Sequence, residues 1–147
     1  MIEPNLSLQK PLEDYVEYIE KMNTRSLPLL DNIAGVLFSF EDPYHSVSGV
    51  AAAQELLAHR FKIYSNSRYK VNDFAWGRRD STAYIYWSFI YSVEKRNLVG
   101  KRSLDDRSFS GISEVVFSND GKLLSHSDFW AAHDGFDIKA YKSIDIE

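Results

Sequence analysis

Apolar residues recur at steps of three and four through the first part of the chain, the spacing that places them on one face of an α-helix. The first helix is predicted over about residues 8–24, and its apolar face consists of Leu12, Tyr15, Val16, Ile19 and Met22. A second, shorter helix is predicted to end at Gly35, because glycine is typical of helix ends. A third helix is predicted to begin at Ser48 or Gly49.

The apolar spacing changes to two after Tyr64, as expected for β-strands. The predicted strands cover residues 68–76, 82–93, 108–118 and 122–130, and a shorter strand is predicted among the helices over residues 36–40. Asn119-Asp120-Gly121 lies between the last two strands and favours a tight hairpin turn, which needs positive φ angles. The pattern therefore predicts an α+β protein, with three N-terminal helices packed against a strongly curved, mainly antiparallel sheet.

A length of 147 residues predicts a single domain. We expect its core to span about residues 8–133, with residues 134–147 as a C-terminal tail appended to it. Residues 94–107 carry many charges of both signs, and we expect them to form a solvated strand end and loop.

Composition and charge exclude several classes of function. The formal net charge of −4 lacks the basic footprint that binding to nucleic acid requires. The absence of cysteine rules out disulfides, thiolate metal sites and cysteine nucleophiles. The first residues have no signal-peptide pattern, and the most apolar stretch, residues 83–93, is too short for a transmembrane helix. We therefore expect a cytoplasmic protein with no membrane or nucleic-acid partner.

Asp42 is the first candidate for chemistry. Pro43 favours an extended conformation at Asp42, which places this carboxylate at the end of the short predicted strand. The side chain either bonds the backbone of its own turn, as is common beside proline, or points into a cavity between the sheet and the helices. In the second case, burial would raise its pKa and suit it to accept and return a proton.

His126 and Asp128 are the second candidate. Residues two apart share a face of a strand, so His126, Asp128 and Trp130 are predicted to point the same way. The pair is either a hydrogen-bonded structural pair or an acid/base pair. We expect no metal, because no third ligand is fixed by the spacing, and no cofactor, because the chain has no phosphate-binding or dinucleotide-binding motif.

Aromatic residues make up 14% of the chain, and they either fill the core or line a cavity for an apolar ligand. The candidates for the wall of such a pocket are Phe38, Tyr44, Trp87 and Trp130.

Five short segments carry a resemblance to a known superfamily: Phe40-Glu-Asp-Pro43, Val47-Ser-Gly-Val-Ala-Ala52, Phe109-Ser-Gly-Ile-Ser-Glu-Val-Val-Phe117, Asp120-Gly-Lys-Leu-Leu124 and His126-Ser-Asp-Phe-Trp130. In these segments the chain resembles the SnoaL-like group of the NTF2-like superfamily over about residues 12–130. The resemblance implies a cone-shaped fold whose sheet wraps around the first helix and leaves a pocket at the open end. It also implies a homodimer formed through the outer face of the sheet.

Comparison with ketosteroid isomerase, a relative in this superfamily, implies roles for single residues. Tyr18 resembles its oxyanion donor and Asp42 its proton-shuttling base, whereas Ser113 stands near the position of its protonated aspartate. In the SnoaL-type polyketide cyclases the acid/base is an aspartate on the last long strand, which resembles Asp128, and His126 is placed to orient it.

The resemblance implies a protein that binds a small, largely apolar, carbonyl-bearing molecule. As an enzyme it would perform cofactor-free proton transfer of the isomerase or cyclase type, with Asp42 or Asp128 moving the proton and Tyr18 or His126 stabilising the enolate. One alternative is a non-catalytic ligand-binding or dimeric scaffold. Another is an epoxide hydrolase, which would need an Asp–Arg–Asp set.

Overall fold

The computed structural model describes residues 6–131 and 138–146. The helices are α1 (Gln9–Glu20), α2 (Leu30–Ile33), α3 (Val50–Ile63) and α4 (Ile138–Lys142), with 3₁₀ turns at Leu6–Leu8 and Leu27–Leu29. The strands are β1 (Ala34–Glu41), β2 (Ser46–Ser48), β3 (Ser65–Trp76), β4 (Thr82–Arg96), β5 (Arg102–Phe117) and β6 (Leu123–Trp130).

The six strands form one open, curved sheet in the order β2-β1-β6-β5-β4-β3. Only β1 and β6 are parallel neighbours, so the prediction of a mainly antiparallel sheet is confirmed. The register shifts within the β3–β4 and β5–β6 pairs, and such irregularities bend a strand and increase its twist.

The core lies between the helices and the inner face of this sheet. Along β4 the odd-numbered side chains from Ala83 to Tyr91 are almost completely buried, as a period of two requires. The apolar face of α1 packs on the same core through Leu12, Tyr15 and Ile19. The predicted α+β arrangement is therefore confirmed.

The predicted hairpin turn is also present. Gly121 has φ +84°, and the flanking backbone closes the turn through a hydrogen bond from Ser118 N to the carbonyl oxygen of Lys122. This turn aligns β6 with β5 and so fixes which face of β6 carries His126 and Asp128.

Three sequence-based expectations need correction. The predicted second helix is only a 3₁₀ turn followed by four α-helical residues. The charged segment 94–107 is largely paired strand rather than loop: β4 and β5 continue to the pair Arg96–Arg102, with ion pairs such as Lys95–Asp105 between them. The described part of the tail is not an appendage, because Tyr141 of α4 is fully buried in the core.

No helix in the described ranges has both the length and the apolar character that crossing a lipid bilayer requires.

Candidate functional site

A small cavity lies between the inner face of the sheet and helices α1 and α3. Its volume of about 20 Å³ is room for one water molecule. Most of the lining is apolar, but six side chains with polar end groups also contribute to it. The lining residues are Tyr15, Ile19, Met22, Leu30, Phe38, Phe40, Leu57, Arg60, Tyr69, Trp87, Ser113, His126 and Asp128.

Three of the polar groups form a continuous hydrogen-bond chain. The hydroxyl of Tyr15, on α1, is 2.6 Å from Nδ1 of His126, and Nε2 of His126 is 2.6 Å from Oδ1 of Asp128. All three side chains are buried. His126 and Asp128 reach the cavity together because they are two residues apart on β6, whose neighbours β1 and β5 hold it in the middle of the sheet.

A second branch of hydrogen bonds fixes Asp128 from the neighbouring strands. Ser113 stands opposite Asp128 in the β5–β6 register, and its hydroxyl donates to Oδ1 of Asp128 at 2.5 Å. The indole Nε1 of Trp87, on β4, donates to the Ser113 hydroxyl oxygen at 2.8 Å. The orientation of the Asp128 carboxylate is therefore set by two strands besides its own.

Arg60 brings a permanent positive charge to the same cavity from α3. Its guanidinium donates to the hydroxyl of Tyr69, and its Nη2 is 3.9 Å from Oδ2 of Asp128. Only 4% of the residue is exposed. The Nε and Nη2 atoms are buried and have no hydrogen-bond partner among the described residues.

The electrostatics of the site keep the Asp128 carboxyl group ionised and the Tyr15 phenol protonated. Burial raises the pKa of Asp128, but the hydrogen bond of His126, the charge that His126 carries when it is protonated, the charge of Arg60 and the hydrogen bond of Ser113 outweigh it, so the pKa lies below its ordinary value. Burial, followed by the charge of Asp128, raises the pKa of Tyr15 well above 10. At neutral pH Asp128 is therefore a carboxylate and Tyr15 a phenol.

These protonation states assign the tautomer that His126 adopts when its imidazole is neutral. The Asp128 carboxylate only accepts hydrogen bonds, so Nε2 of His126 carries a proton and donates it to Oδ1. In the neutral imidazole Nδ1 is then an acceptor, and it receives the hydrogen bond from the Tyr15 hydroxyl. The chain thus has the donor order of a triad, with the phenol of Tyr15 at its donor end.

The ionisation of Asp128 makes the free energy of unfolding depend on pH in the acid range. Because its folded pKa is lowered, its contribution to the free energy of unfolding is complete above the ordinary pKa of about 4 and is lost as the pH falls through the lowered value. We expect an Asp128→Asn variant to lose less stability than the parent between about pH 5 and about pH 2.5, as measured by urea unfolding. An equal loss in both proteins would contradict this assignment.

No family model matches the sequence, and none of the curated proteins matches it. Solved structures do match. A Jannaschia protein described as a SnoaL-like polyketide cyclase has a TM-score of 0.70 at 9% identity, covering 99% of this chain and 100% of that one. A steroid delta-isomerase from Pseudomonas aeruginosa has a TM-score of 0.64 at 12% identity, covering 96% and 90%. An NTF2-like protein of unknown function from Exiguobacterium has a TM-score of 0.63 at 11% identity, covering 84% and 99%.

The chain has the NTF2-like fold. The expected cone-type architecture, with helices against a curved open sheet, is confirmed. At these identities the likeness concerns the fold alone, so the roles of individual residues depend on the geometry described above.

Four of the predicted site residues line the cavity of this NTF2-like fold: His126, Asp128, Phe38 and Trp87. Tyr18, predicted as an oxyanion donor, is not among the lining residues. Its hydroxyl donates to the carbonyl oxygen of Ser26 at 3.0 Å, and burial raises its pKa to about 12. The phenol of α1 that lines the cavity is Tyr15, one helical turn earlier.

Asp42 also lies outside the lining of the cavity, and its contacts are those of the turn interpretation. Its Oδ1 accepts hydrogen bonds from the backbone N–H groups of Tyr44 and His45 at 2.9 and 2.8 Å. Its Oδ2 accepts the hydroxyl of Tyr141. The carboxylate therefore closes the β1–β2 turn and holds α4 against it.

Tyr44 and Trp130, predicted as pocket wall, belong to the same neighbourhood as Asp42 rather than to the cavity. Their ring centroids are 5.5 Å apart, and each packs against the ring of Tyr141. The two side chains thus anchor the C-terminal helix of the fold.

Sequence reasoning missed Tyr15, Arg60 and Tyr69 as site residues. The helical spacing places Tyr15 on the apolar face of the first helix, where an aromatic side chain is expected to fill the core. Arg60 follows Ala53 and Leu57 at helical spacing, so an arginine on the buried face of the third helix was the available signal.

Proposed function

We propose that this protein binds a small, largely apolar, carbonyl-bearing molecule and catalyses cofactor-free proton transfer of the isomerase or cyclase type. The observation that carries the proposal is the buried chain Tyr15–His126–Asp128, which is joined by two hydrogen bonds of 2.6 Å and whose three residues all line the cavity. Proton transfer needs a positioned donor and acceptor within hydrogen-bond reach of the substrate, and this chain presents one at the cavity wall.

The proposed reaction moves one proton along the chain. The oxygen of Tyr15 takes a proton from the carbon next to the substrate carbonyl while the phenolic proton passes to Nδ1 of His126. The products are an enolate, an intact phenol and an imidazolium, whose charge Asp128 offsets. Return of the proton to another carbon gives an isomer, and attack of the enolate carbon on a second carbonyl of the same molecule closes a ring.

Tyr15 therefore relays the proton between the substrate and His126. Its raised pKa disfavours a free tyrosinate, so the loss and gain of protons at its oxygen must be coupled. The enolate forms in a cavity that Arg60 also lines, where a positive charge stabilises it more strongly than in water. Tyr18 and Asp42 have structural roles in this proposal.

The test is deuterium exchange of the methyl protons of acetone and pyruvate in D₂O, followed by NMR. We expect Tyr15→Phe to lower the protein-catalysed rate by about 10²-fold or more, because the phenylalanine ring cannot relay a proton. Tyr18→Phe is the matched control, since it removes a buried hydroxyl from the same helix at a site outside the cavity lining. Equal rates for the parent and Tyr15→Phe would overturn the proposal.

A non-catalytic ligand-binding role is the second candidate, because the polar groups of the chain Tyr15–His126–Asp128 already satisfy one another through hydrogen bonds. A carbonyl compound that shifts the NMR signals of cavity residues without exchanging its protons would support binding alone.

The epoxide hydrolase alternative gains an arginine beside Asp128, since Nη2 of Arg60 is 3.9 Å from its Oδ2. Its second carboxylate is less suited: both oxygens of Asp42 already accept hydrogen bonds, from the β1–β2 turn and from Tyr141. Proton transfer therefore remains the function proposed.

We further propose a homodimer through the outer face of the sheet. Tyr86, Ile112 and Phe129 are neighbours across β4, β5 and β6, and each is between 44% and 58% exposed. A continuous apolar row of this kind is typical of an interface. Light scattering should give twice the chain mass of 16.9 kDa for the parent and the monomer mass for Phe129→Lys. A monomeric parent would contradict the proposal.

A further inference from the structure

Arg60 has an unused pair of hydrogen-bond donors at the site. Nε and Nη2 form one side of the planar guanidinium, and neither atom has a partner among the described residues. The side chain is 95% buried, so bulk water does not readily satisfy these donors. Nη2 lies 3.9 Å from Oδ2 of Asp128, another lining residue, so the unpaired side of the guanidinium is next to the proton-transfer chain.

The surrounding acidic groups do not occupy this side of Arg60. Oδ1 of Asp128 accepts from Ser113 and contacts His126, and Oδ2 lies beyond hydrogen-bond distance from Nη2. Both oxygens of Asp42 accept hydrogen bonds from its own turn and from Tyr141. The third guanidinium nitrogen, Nη1, donates to the Tyr69 hydroxyl, and Arg60 also has a side-chain hydrogen bond with Tyr141.

The shape of the unused donor pair selects a particular ligand. Two parallel N–H groups on one side of a guanidinium match the two oxygens of a carboxylate, whereas a single carbonyl oxygen uses only one of them well. Resting on the proposed function, we infer that the substrate is a small carboxylic acid that also carries the reacting carbonyl. Arg60 holds its carboxylate by two hydrogen bonds, and Tyr15 faces the carbon that loses its proton.

The size of the cavity limits such a ligand to a few carbon atoms. A volume of about 20 Å³ requires lining side chains to move for even a two-carbon acid. Met22 is suited to move, because it lines the cavity just beyond the end of α1 and its unbranched thioether side chain is flexible.

The experiment uses binding rather than turnover. Sodium acetate is titrated into ¹⁵N-labelled protein, with acetamide as the neutral ligand of the same shape. The signal is the indole N–H of Trp87, which lines the cavity and donates to Ser113. The indole of Trp76 is the internal control, because it donates to Gln9 and is not among the lining residues.

We expect acetate to shift the Trp87 signal in a saturable way and acetamide to bind at least tenfold more weakly. Arg60→Met should weaken acetate binding at least tenfold. Arg60→Lys should also weaken it, because the ammonium keeps the charge but lacks the paired donors, and this variant decides the matter if Arg60→Met does not fold. Arg68→Met, which removes an exposed arginine of β3, should bind acetate like the parent.

Equal binding of acetate and acetamide, or no shift of Trp87 with acetate, would overturn the carboxylate site. An Arg60→Lys variant that binds acetate as tightly as the parent would overturn it as well. The outcome is separate from that of the proton-transfer test: acetate binding without any deuterium exchange would support the carboxylate site and contradict proton transfer. Exchange of acetone protons without acetate binding would support proton transfer and contradict the carboxylate site.

Discussion

Asp128→Asn is expected to lower the rate of substrate proton exchange by about 10⁴-fold, the size of the effect when the aspartate of a hydrolase triad becomes asparagine. In the parent, the Asp128 carboxylate accepts a hydrogen bond from the protonated Nε2 of His126. An asparagine amide presents an N–H group there instead and favours the tautomer with the proton on Nδ1. Tyr15 then has no acceptor for its phenolic proton, and the relay is interrupted.

The measurement is the deuterium-exchange rate of pyruvate methyl protons in the parent and the variant. Asp106→Asn is the matched control, because its carboxylate is exposed on β5 and pairs with Arg68 far from the core. A rate for Asp128→Asn within about tenfold of the parent would show that the tautomer of His126 does not control the reaction.

Gly111→Ala is expected to destabilise the protein by about 1–3 kcal/mol, a large share of the stability of an ordinary domain. A Cβ atom at this position would lie 2.5 and 2.6 Å from two carbon atoms of the Trp87 indole and 2.9 Å from the carbonyl oxygen of Phe129. The indole has little freedom to retreat, because it donates to Ser113 and packs edge-on against the ring of Tyr69.

Urea unfolding measures this loss, and near-ultraviolet circular dichroism reports the displacement of Trp87. Gly35→Ala is the matched control: its Cβ would meet only ordinary contacts of 3.6 Å and longer, and its φ angle is not in the left-handed region. We expect Gly35→Ala to stay within about 0.5 kcal/mol of the parent. Similar stabilities for the two variants would contradict the close packing of Gly111 against Trp87.

The strands were predictable because burial on one face leaves a period of two in the sequence. β4 shows this most clearly, with buried residues at every odd position from 83 to 91. The paired strand ends in residues 94–107 could not be predicted, because this alternation is absent there. Both faces of that ribbon are mostly exposed, so charged residues occupy both and no alternation remains.

The candidate site was predictable only in part. His126 and Asp128 share a face by strand geometry, and the structure places both at the cavity. Tyr15 and Tyr18 lie on the same face of α1, with nearly parallel rings whose centroids are 6.1 Å apart. Which of them reaches the cavity depends on how α1 is placed along the sheet, and this is a property of tertiary packing. Local spacing also left both roles open for Asp42.

The tautomer of His126 tests the central claim most directly. Long-range ¹H–¹⁵N correlation spectra of the parent at neutral pH report which imidazole nitrogen carries a proton. The buried chain requires a proton on Nε2, shared with Asp128, and an unprotonated Nδ1 that accepts from Tyr15. We expect this single tautomer in the parent and its replacement in Asp128→Asn. A proton on Nδ1 of the parent, or rapid averaging between the two nitrogens as in free histidine, would contradict a relay through this residue.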